Sequence, residues 1–167
     1  MKRTYSLILI TLSISLFVYL FYRTEKTLVN ELITLFLGFD TFAEMRASIT
    51  GAIPLSEPII FSLPGGLWVF CSTILSKDLY LKIRKQKIRM VTVPILFAAG
   101  LELCQLFHFT NGTFDLWDIG FYAAFWFLAY YGFKLHNTPQ HVWSPFTLKG
   151  FICLASFLSV YLAHVSQ

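Results

Sequence analysis

Glu102 and Gln105 stand three residues apart inside an apolar run, and Asp115 and Asp118 stand three apart just past a short polar turn. That spacing puts each pair on one helix face. The stretch Gly100–Asp118 therefore gathers three carboxyls and an amide between two of the most apolar segments of the chain. Such a set can form a polar ligand pocket, act as a general acid or base, or supply oxygen to a hard divalent cation such as Mg²⁺ or Ca²⁺. It can also be partly structural. An Asp before a helix with an acidic residue three positions later resembles a capping box, and both charges suit the positive end of the helix dipole. Capping accounts for Asp115 and, less completely, for Asp118.

Glu102 has no such account. A carboxyl one or two turns inside a membrane costs about 2.5–3.5 kcal/mol on insertion scales unless it is paired or protonated. No basic residue lies close to it in sequence. Gln105, or the backbone of a neighbouring interrupted helix, is the expected partner. His108 is a candidate proton relay or, more simply, a solvated interfacial side chain. The Asn111-Gly112-Thr113 sequon reads as a tight turn.

The elements that would position these residues are membrane spans. Hydrophobic residues make up 56% of the chain and charged residues only 13%, which is outside the range of ordinary soluble domains. Apolar runs predict spans at about 5–22, 59–75, 90–107, 116–133 and 146–164. An amphipathic interfacial helix is expected at about 27–38, where Leu28, Val29, Leu32, Ile33, Phe36 and Leu37 repeat at helical spacing. The expected fold is one all-α integral membrane helical bundle over residues 1–167. Gly51–Pro58 reads as irregular, and Pro64-Gly65-Gly66 interrupts the second span, because proline removes a backbone donor and glycine lowers helix propensity. Freed backbone groups in a membrane must face protein or a wet cavity. This makes Pro64, Gly65 and the nearby Trp68 candidate ligand-binding positions beside Glu102, Gln105, Asp115 and Asp118. Cys71, Cys104 and Cys153 all fall in apolar runs without metal or redox spacing and read as small hydrophobes.

The net charge of +4 is not a nucleic-acid signal, since the basic residues flank apolar runs. Lys77, Lys82, Arg84, Lys85, Lys87 and Arg89 crowd one loop between spans two and three, and the link from span three to span four has neither Lys nor Arg. The positive-inside rule then places the N-terminus and the basic loop in the cytoplasm and the C-terminus outside. Glu102, Gln105, the Asp pair and the Pro64 segment fall toward the outer side.

Gly100-Leu-Glu102-Leu-Cys-Gln105, followed by Gly112-Thr113-Phe114-Asp115-x-x-Asp118, resembles the Glu-x-x-Gln…Asp-x-x-Asp signature of VanZ-like proteins. Ser62-Leu63-Pro64-Gly65-Gly66-Leu67-Trp68 is similar to the segment that often precedes it, so the resemblance covers about 62–133. Many members carry an Arg before the Asp pair, where this chain has Asn111 to Phe114. Many carry an Asn after it, where this chain has Phe121-Tyr122. The resemblance implies a small multi-pass protein of the bacterial cytoplasmic membrane, in a family whose founding member is linked to teicoplanin resistance. On this reading the chain is an envelope-associated accessory protein that binds a lipid-linked or cell-wall-related headgroup in an outward polar pocket. The alternatives are a subunit of a membrane transport complex and an intramembrane, carboxylate-dependent lipid-modifying enzyme. The bilayer is the expected partner, and nucleic acid is not. No cofactor motif is present, and a divalent cation on Glu102, Asp115 and Asp118 is the one metal the donor types suit.

Overall fold

The computed structural model describes residues 2–23, 28–83, 86–110, 112–133, 139–143 and 147–165. It is mostly helical, with seven α-helices and a three-stranded sheet among the described residues. The chain divides into two compact units, 1–64 and 65–167.

The first unit holds α1 (Lys2–Tyr22), α2 (Leu28–Leu37), α3 (Phe39–Ala52) and the start of α4 (Glu57–Ser76). The C-terminal carbonyls of α1 have no partner within the helix. Arg46 of α3 supplies one: its guanidinium donates to the Phe21 carbonyl at 3.2 Å and to the Arg23 carbonyl. Tyr22 adds a hydrogen bond to the Ile53 carbonyl at 2.7 Å. A cation at a helix C-terminus is also where the macrodipole favours it.

A helix expected at 27–38 is present as α2, and Gly38, at φ +83°, turns the chain directly into α3. Glycine tolerates that left-handed conformation. Residues 39–52, left without an assignment by hydropathy, are thus helical, and the irregular stretch expected over 51–58 shrinks to 53–56. Pro64 does not end its helix, since α4 runs unbroken from Glu57 to Ser76.

The second unit packs the rest of α4 with α5 (Val93–Leu106), α6 (Leu116–Gly132) and α7 (Leu148–Val165). A 3₁₀ turn at Met90–Thr92 leads into α5. Trp126 donates to the Val91 carbonyl at 2.9 Å and Tyr122 reaches Glu102, so α5 and α6 run antiparallel. Phe70 packs edge-on against Phe125 of α6 and Phe133 just after it, and Trp68 meets Phe97 of α5 and Phe157 of α7. Gly66 lets α6 approach closely, because a Cβ there would lie 2.7 Å from the Phe125 ring.

At one end of this unit, Lys77 donates to the carbonyls of Ala129 (3.0 Å), Tyr130 (2.7 Å) and Phe133, closing the C-terminus of α6. Burial holds the Lys77 ammonium below the ordinary lysine range, and the neighbouring Asp78 charge pulls it partly back. Asp78 pairs with Lys149 of α7 at 2.7 Å.

The expected helical fold carries one addition, a small sheet. The basic loop folds into β1 (Leu79–Ile83) and β2 (Gln86–Arg89), paired antiparallel, and β3 (Gln140–His141) joins β1 in parallel, giving the order β2-β1-β3. Charge density hides this strand signal in the sequence, although Leu79-Tyr-Leu-Lys-Ile83 alternates apolar and amphipathic residues as a strand does.

Two helices, Tyr5–Tyr22 and Glu57–Ser76, are long and apolar enough to cross a membrane. Met90–Leu106 and Leu148–Leu158 are apolar but shorter, and α6 has 17 residues. The free cysteines Cys71 and Cys153 are buried.

Candidate functional site

Where α5 stops decides where Glu102 and Gln105 sit. His108 has φ +60°, the left-handed conformation that ends many helices. Phe109 N–H donates to the Cys104 carbonyl at 2.8 Å and His108 N–H to the Gln105 carbonyl at 3.0 Å. This is the paired hydrogen-bond pattern of a Schellman motif. It fixes Gln105 in the last turn of α5 and Glu102 one turn earlier. The His108 ring is exposed, with Nδ1 3.3 Å from the Leu106 carbonyl, so its role in the fold is to turn the chain.

The start of α6 is fixed just as locally. Asp115 is its N-cap, in extended conformation, and accepts from Trp117 N–H at 2.9 Å. Asp118 lies in the first turn. Capping is therefore a real function of Asp115, as its place in the sequence implies.

Between these two ends lies Glu102, 1% exposed. Its Oε1 accepts from the Tyr122 hydroxyl at 3.1 Å. With the Gln105 amide turned so that its nitrogen faces acceptors, that nitrogen donates to Glu102 Oε2 at 3.1 Å and to the Thr113 carbonyl at 3.3 Å. The Asp115 backbone N–H also reaches the carboxyl, and the Asp118 carboxyl adjoins it. Among the described residues no Lys, Arg or His forms an ion pair with Glu102. The polar cost of burying this group is offset by neutral donors.

Two glycines make room for the arrangement. A Cβ at Gly65 would stand 2.7 Å from the Tyr122 ring and 3.2 Å from its hydroxyl oxygen. A Cβ at Gly112, where φ is +114°, would stand 2.8 Å from the Gln105 amide. Each glycine thus protects one of the two side chains that hold Glu102.

Glu102, Gln105, Asp115 and Asp118 come together in one cluster, and Gly65 supports it through Tyr122. Pro64 is the residue before Gly65 inside α4, and its chemical contribution is a missing backbone donor. Trp68 packs against the core of Val69, Ala98 and Tyr122, with Phe97 and Phe157 as its ring neighbours. Its indole N–H is buried without a partner among the described residues. Tyr122 is the residue that motif reading misses. The available signal is its place four residues after Asp118, on the same face of α6.

The metal expectation fits poorly. Among the described residues no group of three or more His, Cys, Asp and Glu is placed to hold an ion. Asp115 spends an oxygen on its cap, and both Glu102 oxygens face hydrogen-bond donors, an environment complementary to an acceptor and not to a cation.

Around the cluster the chain is apolar and exposed, at Phe107, Phe109, Leu116 and Trp117. The arrangement offers half-buried carboxyls at the surface, a sealed carboxyl behind them, and a greasy collar. No protein-family model, curated protein or solved structure matches the chain.

Proposed function

We propose that this chain is a multi-pass membrane protein of the VanZ-like type, an envelope accessory protein whose outward carboxyl cluster binds the headgroup of a lipid-linked or cell-wall-related ligand. The observation that carries the reading is Glu102. A carboxyl that is 1% exposed, held by Tyr122, Gln105 and a backbone N–H, is costly to maintain in an apolar bundle without a use.

Membrane residence is supported by apolar surface that is exposed among the described residues. Only 17% of Tyr5–Tyr22 is buried, and Leu9, Ile10, Leu12, Ile14 and Leu16 are exposed along it. Phe127 and Leu128 of α6 and Phe151, Ile152 and Leu158 of α7 are exposed too. Contiguous apolar surface on this scale needs lipid or partner protein. On this reading α1, α4, α5, α6 and α7 are the five spans, and α2 lies at the interface. Sidedness is supported by the charge of the second unit. Lys77, Lys82, Lys87, Arg89 and Lys149 belong to the sheet end, while Glu102, Asp115 and Asp118 belong to the other. The basic end faces the cytoplasm under the positive-inside rule.

The ligand chemistry follows from the donor types. Three carboxyls and an amide, with no cation among the described residues paired to Glu102, favour a headgroup rich in hydroxyl, amine or amide donors over a bare phosphate. The exposed Phe107, Phe109, Leu116 and Trp117 suit the apolar tail of an amphiphile. The ligand meets Asp115 and Asp118 first, and Glu102 answers from behind them.

The test is to replace Glu102, Asp115 and Asp118 singly by their amides at matched expression, and to compare envelope-stress and glycopeptide sensitivity with the wild type and a deletion. Loss of function in Glu102→Gln and Asp118→Asn is expected. A clear deletion phenotype with all three variants behaving as wild type would sink the proposal. The adjoining Glu102 and Asp118 carboxyls, with the Tyr122 hydroxyl beside them, also favour a second reading as a general acid–base site acting on lipid. Turnover of lipid by purified protein, absent in Glu102→Gln, distinguishes it. The complex-subunit reading instead requires a stable partner on detergent purification.

A further inference from the structure

The strand register sorts the side chains of the small sheet onto two faces. Tyr80 pairs with Arg89, Lys82 with Lys87, and Tyr80 also with His141 in the parallel ladder. Partners in register share a face and alternate residues repeat on it, so Arg89, Lys87, Lys82, Tyr80 and His141 occupy one side. Ring contacts agree, with Lys87 Nζ 5.3 Å from the Tyr80 ring centre and the His141 ring edge-on to Tyr80 at 5.4 Å. The other side carries Leu79, which is 1% exposed, and Leu81 opposite Ile88.

Two lysines directly opposite one another in an antiparallel pair repel. Lys82, Lys87 and Arg89 are exposed, and among the described residues the one ion pair at this end, Asp78 with Lys149, does not include them. Among the described residues no acid faces these three cations. Height explains it. Arg89 is adjacent to Met90, which begins the turn into α5, and Lys87 is three residues before Met90. At about 3.3 Å per strand residue, Lys87 lies within about 10 Å of that turn, and the register holds Lys82 level with it. β1 starts two residues beyond Lys77, the residue that follows α4. The whole face is thus kept within about a Debye length of the apolar helix ends. An aromatic ring among the cations suits the headgroup layer.

We propose that this sheet face is a binding surface for anionic phospholipid headgroups of the cytoplasmic leaflet. The inference rests on the membrane-spanning reading above. The Lys82–Lys87 pair and Arg89 bracket lipid phosphates, Tyr80 holds the Lys87 side chain over its ring, and the headgroup charge relieves the cross-strand repulsion.

The full chain, extracted in mild detergent and supplied with equal amounts of phosphatidylglycerol and phosphatidylcholine, tests this by native mass spectrometry of retained lipid. Wild type is expected to retain phosphatidylglycerol preferentially. The Lys82→Gln/Lys87→Gln/Arg89→Gln variant should lose that preference, by about fivefold for each charge removed. Lys82→Arg/Lys87→Arg should keep it, which separates loss of charge from loss of fold. Equal retention of the two lipids by wild type, a preference that survives the glutamines, or a preference erased by millimolar inorganic phosphate would overturn the proposal. Displacement of the lipid by a short oligonucleotide would overturn it in favour of nucleic acid. If the chain fractionates as soluble without detergent, the membrane-spanning reading itself falls, and that result is distinct from any lipid preference.

Discussion

Glu102 is held by side chains that are themselves held by the absence of others. Gly65→Ala gains helix propensity of up to about 1 kcal/mol in α4, yet puts a methyl 2.7 Å from the Tyr122 ring. Overpacking of this kind costs about 1–3 kcal/mol and wins. The expected outcome is a lower thermal midpoint and the same loss of function as Tyr122→Phe, with the double variant no worse than the more severe single one. Gly112→Ala adds backbone strain at φ +114° to a clash with Gln105 and should be the more damaging glycine replacement. His108 supplies the converse case. A non-glycine residue in the left-handed region costs about 1–2 kcal/mol, so His108→Gly should stabilise the protein modestly and leave function intact. Loss of function there would restore the proton-relay reading. The Glu-x-x-Gln and Asp-x-x-Asp spacings made the cluster legible in sequence. Tyr122 and Gly65 were not legible as its support, because their roles exist only across the α4–α6 contact.

At the scale of elements, helix ends govern this structure more than helix faces do. Lys77 answers three carbonyls at the C-terminal end of α6, Arg46 answers the Phe21 and Arg23 carbonyls at the end of α1, and His108 and Asp115 close the turn between α5 and α6. Lys77→Met should cost about 1–3 kcal/mol, since it removes a charged donor from several carbonyls at once. A thermal melt in detergent checks this, with Lys77→Arg the milder change. Apolar runs gave the helices α1, α4, α5, α6 and α7 to within a few residues. They could not give α3, whose hydropathy is mixed, or the sheet, whose strands are short and whose pairing with β3 spans some 60 residues of chain. Pro64 misled as a helix breaker because it costs α4 a single backbone donor, and the helix continues through it from Glu57 to Ser76.

At the scale of the molecule, the second unit segregates its charge: Lys77, Lys82, Lys87, Arg89 and Lys149 lie at the sheet end with Asp78 as the one described acid there, and Glu102, Asp115 and Asp118 lie at the other. A single cysteine placed at exposed Gln86, in a background with Cys71, Cys104 and Cys153 replaced by serine, should react with a membrane-impermeant thiol reagent only after the cell is opened. A cysteine at exposed Thr113 should react in intact cells. The reverse pattern would invert the topology and move the cluster to the cytoplasm.

The Lys77 anchor has a mechanical consequence. It ties the end of α4 to the end of α6, and the Asp78–Lys149 pair ties α7 to the same level. A helix of 17 residues is about 25 Å long, while a typical hydrocarbon core is about 30 Å thick. If α6 spans the bilayer as proposed, ammonium groups pin one rim and the shortfall falls at the opposite rim, where the bilayer thins to meet Asp115 and Trp117. On that reading the carboxyl cluster sits at the bottom of a dimple whose depth varies with acyl-chain length. Reconstituted protein should then expose Asp115 and Asp118 more readily in thin bilayers than in thick ones, and membrane composition would set how far the proposed ligand must sink to reach Glu102.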